Sequence, residues 1–185
     1  MAQPERQLLM DEKAVERALA RMAREIVEKN HGIQGLSLLG IHRRGVQLAE
    51  RLADEIAKAE GTRPPVGTLD ITLYRDDLMA IGPRPVVGET RLPAGGIEGR
   101  ALVIVDDVAY TGRTARAAMD ELADFGRPAR IYLCVLIDRG GRELPIQPDI
   151  VGRTVDVRPG QRVEVLVPEL DGRLAVELTT AEAAR

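Results

Sequence analysis

Apolar positions along the chain follow two rhythms. Residues 102–105, LVIV, form an unbroken and mostly β-branched run, the pattern of a strand buried on both faces of a parallel sheet. Shorter runs at 35–41 (GLSLLGI) and 130–138 (RIYLCVLID) predict two more buried strands. Elsewhere the spacing is helical. Val15, Leu19, Met22 and Ile26 make one stripe, with Asp11 as N-cap and Gly32 just past an end near Asn30. Val46, Leu48, Ala49, Leu52 and Ile56 predict a helix over 45–60. Ala115, Met119, Leu122 and Phe125 are the expected inward side of another over 112–125, stopped by Gly126. Residues 68–74, TLDITLY, alternate and predict a strand. Residues 150–156, 162–168 and 173–179 read as short strands, the last two flanking Asp171-Gly172 as a hairpin. Residues 1–9 read as a loose arm, and 75–98 is the longest stretch with no period.

This order of elements predicts a doubly wound α/β arrangement, and 185 residues suit one domain spanning 1–185. Hydrophobic residues make up 44% of the chain but aromatics only 2%, so the expected core is Leu, Val, Ile and Ala. A net charge of −3 gives no global signal for nucleic acid, which would need a local patch. The single Cys134 excludes an internal disulfide framework and reads as a buried strand residue. No apolar run reaches membrane-spanning length and no signal-peptide core precedes the first helix, so the expectation is a cytoplasmic protein without membrane contact.

The chemistry gathers in LVIVDDVAYTGRT, residues 102–114. Asp106 and Asp107 stand where the strand leaves the sheet, and Tyr110, Thr111, Gly112, Arg113 and Thr114 lead into a helix. Ligands of open α/β sheets bind beyond the carboxyl ends of strands, and a hydroxyl- and glycine-containing turn at a helix start suits an anion. The carboxylates suit hydroxyl groups, or a divalent cation arriving with a phosphate. A sugar phosphate with vicinal hydroxyls and a diphosphate needs all three features. A plain helix cap is the bland alternative. His42, Arg43, Arg44 and Gly45 form a second strand–turn–helix junction, where adjacent guanidiniums suit a diphosphate. His42 has no second ligand at metal spacing and reads as a loop residue. Arg17, Arg21 and Arg24 share one face of the first helix, either as a basic patch or as a solvated face paired with Glu16, Glu25 and Glu28. The Pro- and Gly-rich stretch 75–98 carries Arg75, Asp76, Asp77, Arg84 and Arg91 and reads as a lid that excludes water, with a disordered insertion as the bland alternative.

The thirteen-residue run resembles the phosphoribosyl pyrophosphate (PRPP) signature of type I phosphoribosyltransferases. ITLYRDDL (71–78), VDDVAYTGRT (105–114) and DRGGRELPI (138–146) together resemble the PyrR family, pyrimidine operon regulators that also act as uracil phosphoribosyltransferases. The likeness runs from about residue 8 to about residue 152 and fades in the tail. It implies a central, mostly parallel sheet flanked by helices, with a small C-terminal β hood. It implies conversion of uracil and PRPP to UMP and diphosphate with Mg²⁺ carried by PRPP rather than by a protein metal site. It also implies UMP-dependent binding of pyrimidine operon leader RNA and a homo-oligomer.

By position, the resemblance assigns Asp106 and Asp107 to the ribose hydroxyls and Arg43 and Arg44 to the diphosphate. Thr111, Gly112, Arg113 and Thr114 would hold the 5-phosphate, with Val105, Val108, Ala109 and Tyr110 lining the site. Asp138, Arg139, Arg142 and Ile150 would contact uracil, and Arg17, Arg21, Arg24, Arg142 and Arg153 would contact RNA. The chain departs from the family at Ala20 and Arg24, where relatives carry a hydroxyl and a histidine, at Gly141 in place of a histidine, and at Gln147 in place of a basic residue. These departures bear on RNA rather than catalysis. A stand-alone phosphoribosyltransferase, for uracil or another base, therefore remains the alternative, as does a regulator with vestigial catalysis.

Overall fold

The structure is a computed structural model, and residues 5–75 and 88–180 are described. Five strands form a parallel sheet: β2 (Leu36–Ile41), β3 (Val66–Leu69), β4 (Ala101–Ala109), β5 (Arg130–Asp138) and β6 (Ile150–Thr154), in the order β3-β2-β4-β5-β6. Three helices cover it: α1 (Glu12–Lys29), α2 (Arg44–Glu60) and α3 (Arg113–Phe125). A three-stranded antiparallel sheet, order β1-β8-β7, is made by β1 (Glu5–Met10), β7 (Gln161–Leu166) and β8 (Ala175–Thr180). A four-residue helix, α4 (Pro168–Asp171), joins β7 to β8.

The unbroken apolar run of β4 follows from its place at the middle of the sheet. Val103 and Val105 pack into one core with α1, α2 and the antiparallel sheet. Leu102 and Ile104 pack into a second core against Ala117, Ala118 and Leu122 of α3. Each face of the strand meets a hydrophobic layer, so no polar position is tolerated until the carboxyl end. Cys134 is fully buried in β5, as expected. α1 begins where Asp11 accepts a hydrogen bond from the Ala14 amide (2.8 Å), a cap worth about 0.5–2 kcal/mol. α2 lies so close to β4 that a Cβ on Gly45 would sit 2.5 Å from the Val105 carbonyl oxygen, which only glycine avoids.

Several expectations change. Residues 5–10 are not a loose arm but β1, paired with β8 and tied by Arg6 to Glu164 (3.2 Å) and Glu177 (3.0 Å). TLDITLY is not one strand. The Asp70 carboxylate accepts bonds from the Thr72 amide (2.9 Å) and hydroxyl (2.5 Å), which ends β3 at Leu69 and bends the chain into a three-ten turn over Thr72–Tyr74. β4 does not stop before the acidic pair but continues through it to Ala109, in register with β5. On α3 Met119 and Phe125 are 36% and 45% exposed, and the inward positions are Ala115, Ala117, Ala118, Glu121 and Leu122.

Candidate active site

Two cavities meet at the carboxyl end of β4. One, of about 450 Å³, lies between the ends of β2, β3 and β4 and is lined by His42, Arg43, Asp70, Thr72, Asp106 and Asp107 among others. The other, of about 130 Å³, lies on the β5 side, under Tyr110, Thr111, Arg142 and Ile146. Asp106, Val108 and Thr114 line both. Asp106 is thus common to both cavities and Asp107 lines the larger, so the acidic pair faces open space rather than capping a helix.

The two carboxylates differ. The Asp107 amide donates to Asp106 Oδ1 (2.9 Å), and the Val108 amide donates to Asp107 Oδ1 (2.8 Å). Burial, then the adjacent Asp107, pushes the Asp106 carboxyl well above the ordinary carboxylate value. Asp107 also lines a third cavity, with Arg44, Asp171 and Arg173 beneath the antiparallel sheet.

The turn before α3 is locked from outside. The amides of Glu143 (2.9 Å) and Leu144 (3.1 Å) donate to the Thr111 carbonyl, and Arg113 pairs with Glu143 (2.8 Å). Gly112 precedes the helix, whose amino end faces the cleft through Thr114 and Ala115. Arg142 bridges Asp138 (2.7 Å), the Tyr110 carbonyl (2.7 Å) and the Ile146 carbonyl (2.9 Å). Arg139 stacks 4.1 Å from the Tyr110 ring centre, and a Cβ on Gly141 would strike that ring at 2.4 Å. The departure at Gly141 thus accommodates Tyr110.

The remaining expected site residues scatter. Val105 is a core residue, and Ile150 is fully buried in β6; Leu133, Val135 and Ile146 line the smaller cavity instead. Arg44 turns away from the larger cavity to Asp171 (2.9 and 3.1 Å), whose carboxyl it holds below the usual range, while Arg43 lines the cavity. The His42–Arg43 peptide is cis. Arg75 lines the larger cavity. Asp76, Asp77 and Arg84 of the expected lid lie outside the described residues. Arg91 belongs to an antiparallel bridge with Thr68. Asp70 and Thr72 are cleft residues that the sequence does not flag, because their alternating pattern reads as mid-strand.

Outside the two cavities, Arg21 donates to the Val151 and Gly152 carbonyls (2.9 and 2.6 Å) and Arg153 to the Leu9 carbonyl (2.5 Å). Arg17, Arg21, Arg24 and Arg153 are exposed there, at α1 and the edge strand β6, whereas Arg142 sits in the wall of the cleft.

The family model of the phosphoribosyl transferase domain matches residues 7–167. A protein of Thermus aquaticus named Bifunctional protein PyrR is 58% identical over 176 residues, covering 95% of this chain and 97% of its own length. A protein of the same name from Herpetosiphon aurantiacus is 55% identical, covering 88% of this chain and 90% of its own. The chain belongs to the PyrR family. Solved structures agree on the fold. The hypoxanthine phosphoribosyltransferase of Trypanosoma cruzi superposes with a TM-score of 0.69 at 18% identity, covering 95% and 96% of the two chains. A point mutant of that enzyme, in a ternary substrates complex, gives 0.72 at 19% identity, covering 97% and 96%. The PyrR-family chain therefore has the type I phosphoribosyltransferase fold, with the antiparallel sheet in the position of the hood. Among its described residues, no helix is long and apolar enough to cross a membrane.

Proposed function

We propose that this PyrR-family protein transfers ribose 5-phosphate from PRPP to uracil, giving UMP and diphosphate, and binds pyrimidine operon leader RNA when UMP is present. The observation that carries the enzymatic half is the junction of the two cavities at Asp106, Val108 and Thr114. A ligand lying across it would place a ribose on the acidic pair, a phosphate at the start of α3 and a base in the smaller cavity.

In this reading Asp106 and Asp107 accept the ribose hydroxyls and Thr111, Gly112, Arg113 and Thr114 receive the 5-phosphate. Arg43 and Arg75, in the larger cavity, face the diphosphate. Arg44 acts at one remove, by fixing the hood to the start of α2. Val108, Ala109, Tyr110 and Ile146 flank the base. Asp138, Arg139 and Arg142 shape the base pocket, Arg142 by holding three groups of the turn in place. Among the described residues no group of three or more His, Cys, Asp or Glu could hold a metal. Mg²⁺ carried by PRPP would neutralise the leaving diphosphate, with the Asp106 and Asp107 carboxyls nearby.

Bond cleavage at the sugar leaves positive charge on the ribose ring and negative charge on the diphosphate. The carboxylate floor faces the first and the arginine wall the second. The uracil nitrogen forms its bond to the sugar as the bond to diphosphate breaks, and its proton passes to the departing diphosphate or to solvent, so the nitrogen needs placement more than a strong protein base. The protein is further proposed to be a cytoplasmic homo-oligomer whose RNA surface includes Arg17, Arg21, Arg24 and Arg153. A second reading, a transferase without RNA regulation, is favoured by the enclosed position of Arg142 and by Gly141. One preparation titrated with PRPP, several nucleobases, UMP and leader RNA separates these. Formation of UMP from uracil supports the enzyme, and absence of turnover with every base overturns it. Failure of saturating UMP to promote leader-RNA retention at low salt leaves the enzyme alone.

A further inference from the structure

The larger cavity has a wall that the ligand-binding motif does not explain. Asp70, at the end of β3, is 8% exposed and uses both carboxylate oxygens on the chain either side of the stretch that follows it. Oδ1 accepts from the Thr72 amide and hydroxyl, and Oδ2 accepts from the Gly88 amide. The Asp70 amide donates to Thr90 Oγ1 (2.9 Å), and the Thr90 hydroxyl donates to Glu121 Oε1 on α3 (2.5 Å). Glu121 is itself 4% exposed, and its other oxygen has no hydrogen-bond partner among the described residues. Thr68 and Arg91 add a backbone bridge beside this cluster (2.8 and 2.9 Å).

One side chain thus ties the chain leaving β3 at Thr72 to the chain returning at Gly88, and α3 holds the return limb through Thr90. Although burial pushes the Asp70 carboxyl up, hydrogen bonds from Thr72 and Gly88 leave it below the ordinary value, so it stays charged at neutral pH. Asp70, Thr72 and Gly88 line the same cavity as Arg43, Asp106 and Asp107.

We infer that Asp70 is a positioning residue of the transferase: it clasps the two limbs so that the cavity wall facing Arg43 is already in place when PRPP arrives. The inference rests on the transferase reading given above. Loosening the clasp leaves the ligand to order the wall on binding, a cost shared by bound substrate and transition state. The effect therefore falls on KM for PRPP and little on kcat. Uracil is spared, because its pocket lies on the β5 side of β4.

Asp70→Asn is compared with the unmutated protein in two measurements. Hydrogen–deuterium exchange of peptides covering 70–75 and 88–91 is expected to quicken in both together, with α1 unchanged. Steady-state kinetics are expected to show KM for PRPP raised about tenfold, the loss of one charge-assisted hydrogen bond, with kcat within about twofold. Thr72→Val, which removes only the hydroxyl donor, repeats both measurements if Asp70→Asn does not fold, with a smaller rise in the same KM. Unchanged exchange at both limbs overturns the clasp whether or not the protein is a transferase. Faster exchange with a fall in kcat and an unchanged KM for PRPP overturns the positioning role. If the unmutated protein transfers no base, the transferase reading fails, and exchange alone decides whether Asp70 holds the limbs.

Discussion

The two strand–turn–helix junctions on either side of the cleft share a plan and differ in what anchors them. The β2–α2 junction is fixed downward and toward the hood: Gly45 is pressed onto the Val105 carbonyl, and Arg44 is joined to Asp171. The β4–α3 junction is fixed sideways by the turn that follows β5, through the Thr111 carbonyl and Arg142. Two walls held by different parts of the chain face each other across one acidic floor. Substitutions in either wall should then have separable consequences, while the floor belongs to both.

The largest effect is expected at the floor. On the proposed reading, Asp106→Asn with Asp107→Asn removes the carboxyl acceptors of the ribose hydroxyls, roughly 1.5–3 kcal/mol or about ten- to a hundredfold in turnover per contact. Because the Asp106 carboxyl is raised by burial and by Asp107, its ionisation opposes folding increasingly as pH rises from its unfolded value through its folded one. Asp106→Asn alone should therefore raise the melting temperature at neutral pH while lowering turnover. Near-normal rates in the double variant, measured by UMP formation, would remove the pair from the site.

Next comes the β4–α3 wall. Arg142→Ala removes the guanidinium from Asp138 Oδ2 and from the Tyr110 and Ile146 carbonyls and should destabilise by about 1–3 kcal/mol. Denaturant midpoints measure this, and KM for uracil should rise more than KM for PRPP. The β2–α2 wall should respond to acid instead. Arg44 depresses the Asp171 carboxyl, so this pair's contribution is present above the unfolded carboxylate value and is lost as pH falls through the lower, folded one. Unmutated protein should lose more stability between about pH 7 and about pH 3 than Asp171→Asn does. Equal losses would show that the pair does not hold the hood.

The smallest change is expected outside both walls. Arg21→Ala should weaken leader-RNA binding and flatten its salt dependence by about one phosphate. A salt slope equal to that of the unmutated protein would remove Arg21 from the RNA surface.

What the sequence made legible was whatever depends on near neighbours. The buried run of β4 and the stripe and cap of α1 appear where their periods place them, and the acidic pair does stand ahead of the glycine turn, though inside the strand rather than past its end. What it hid depends on partners far along the chain. β1 shows no alternation of its own and is a strand only because β8 lies beside it. TLDITLY alternates like a strand, yet a local carboxylate competes with the ladder at Asp70 and wins. Arg44 and Arg142 stand in motifs that suggest ligand contact, but Asp171 and Asp138 occupy them. Ile150 stands where the resemblance places a uracil contact, while its full burial beside Cys134 makes it part of the core.

The hood sets an order on assembly. The parallel sheet is complete once β6 has been made, but β8 must slide between β1 and β7, and its register places Thr180 opposite both Glu5 and Gln161. Closing so long a loop is entropically slow, so the sheet and its helices should condense first and the hood last. A chain emerging from the ribosome would then carry its acidic floor and both turns before it has the lock on Arg44. Newly made molecules would pass through a stage in which the cleft has its chemistry but one of its walls is still unbraced.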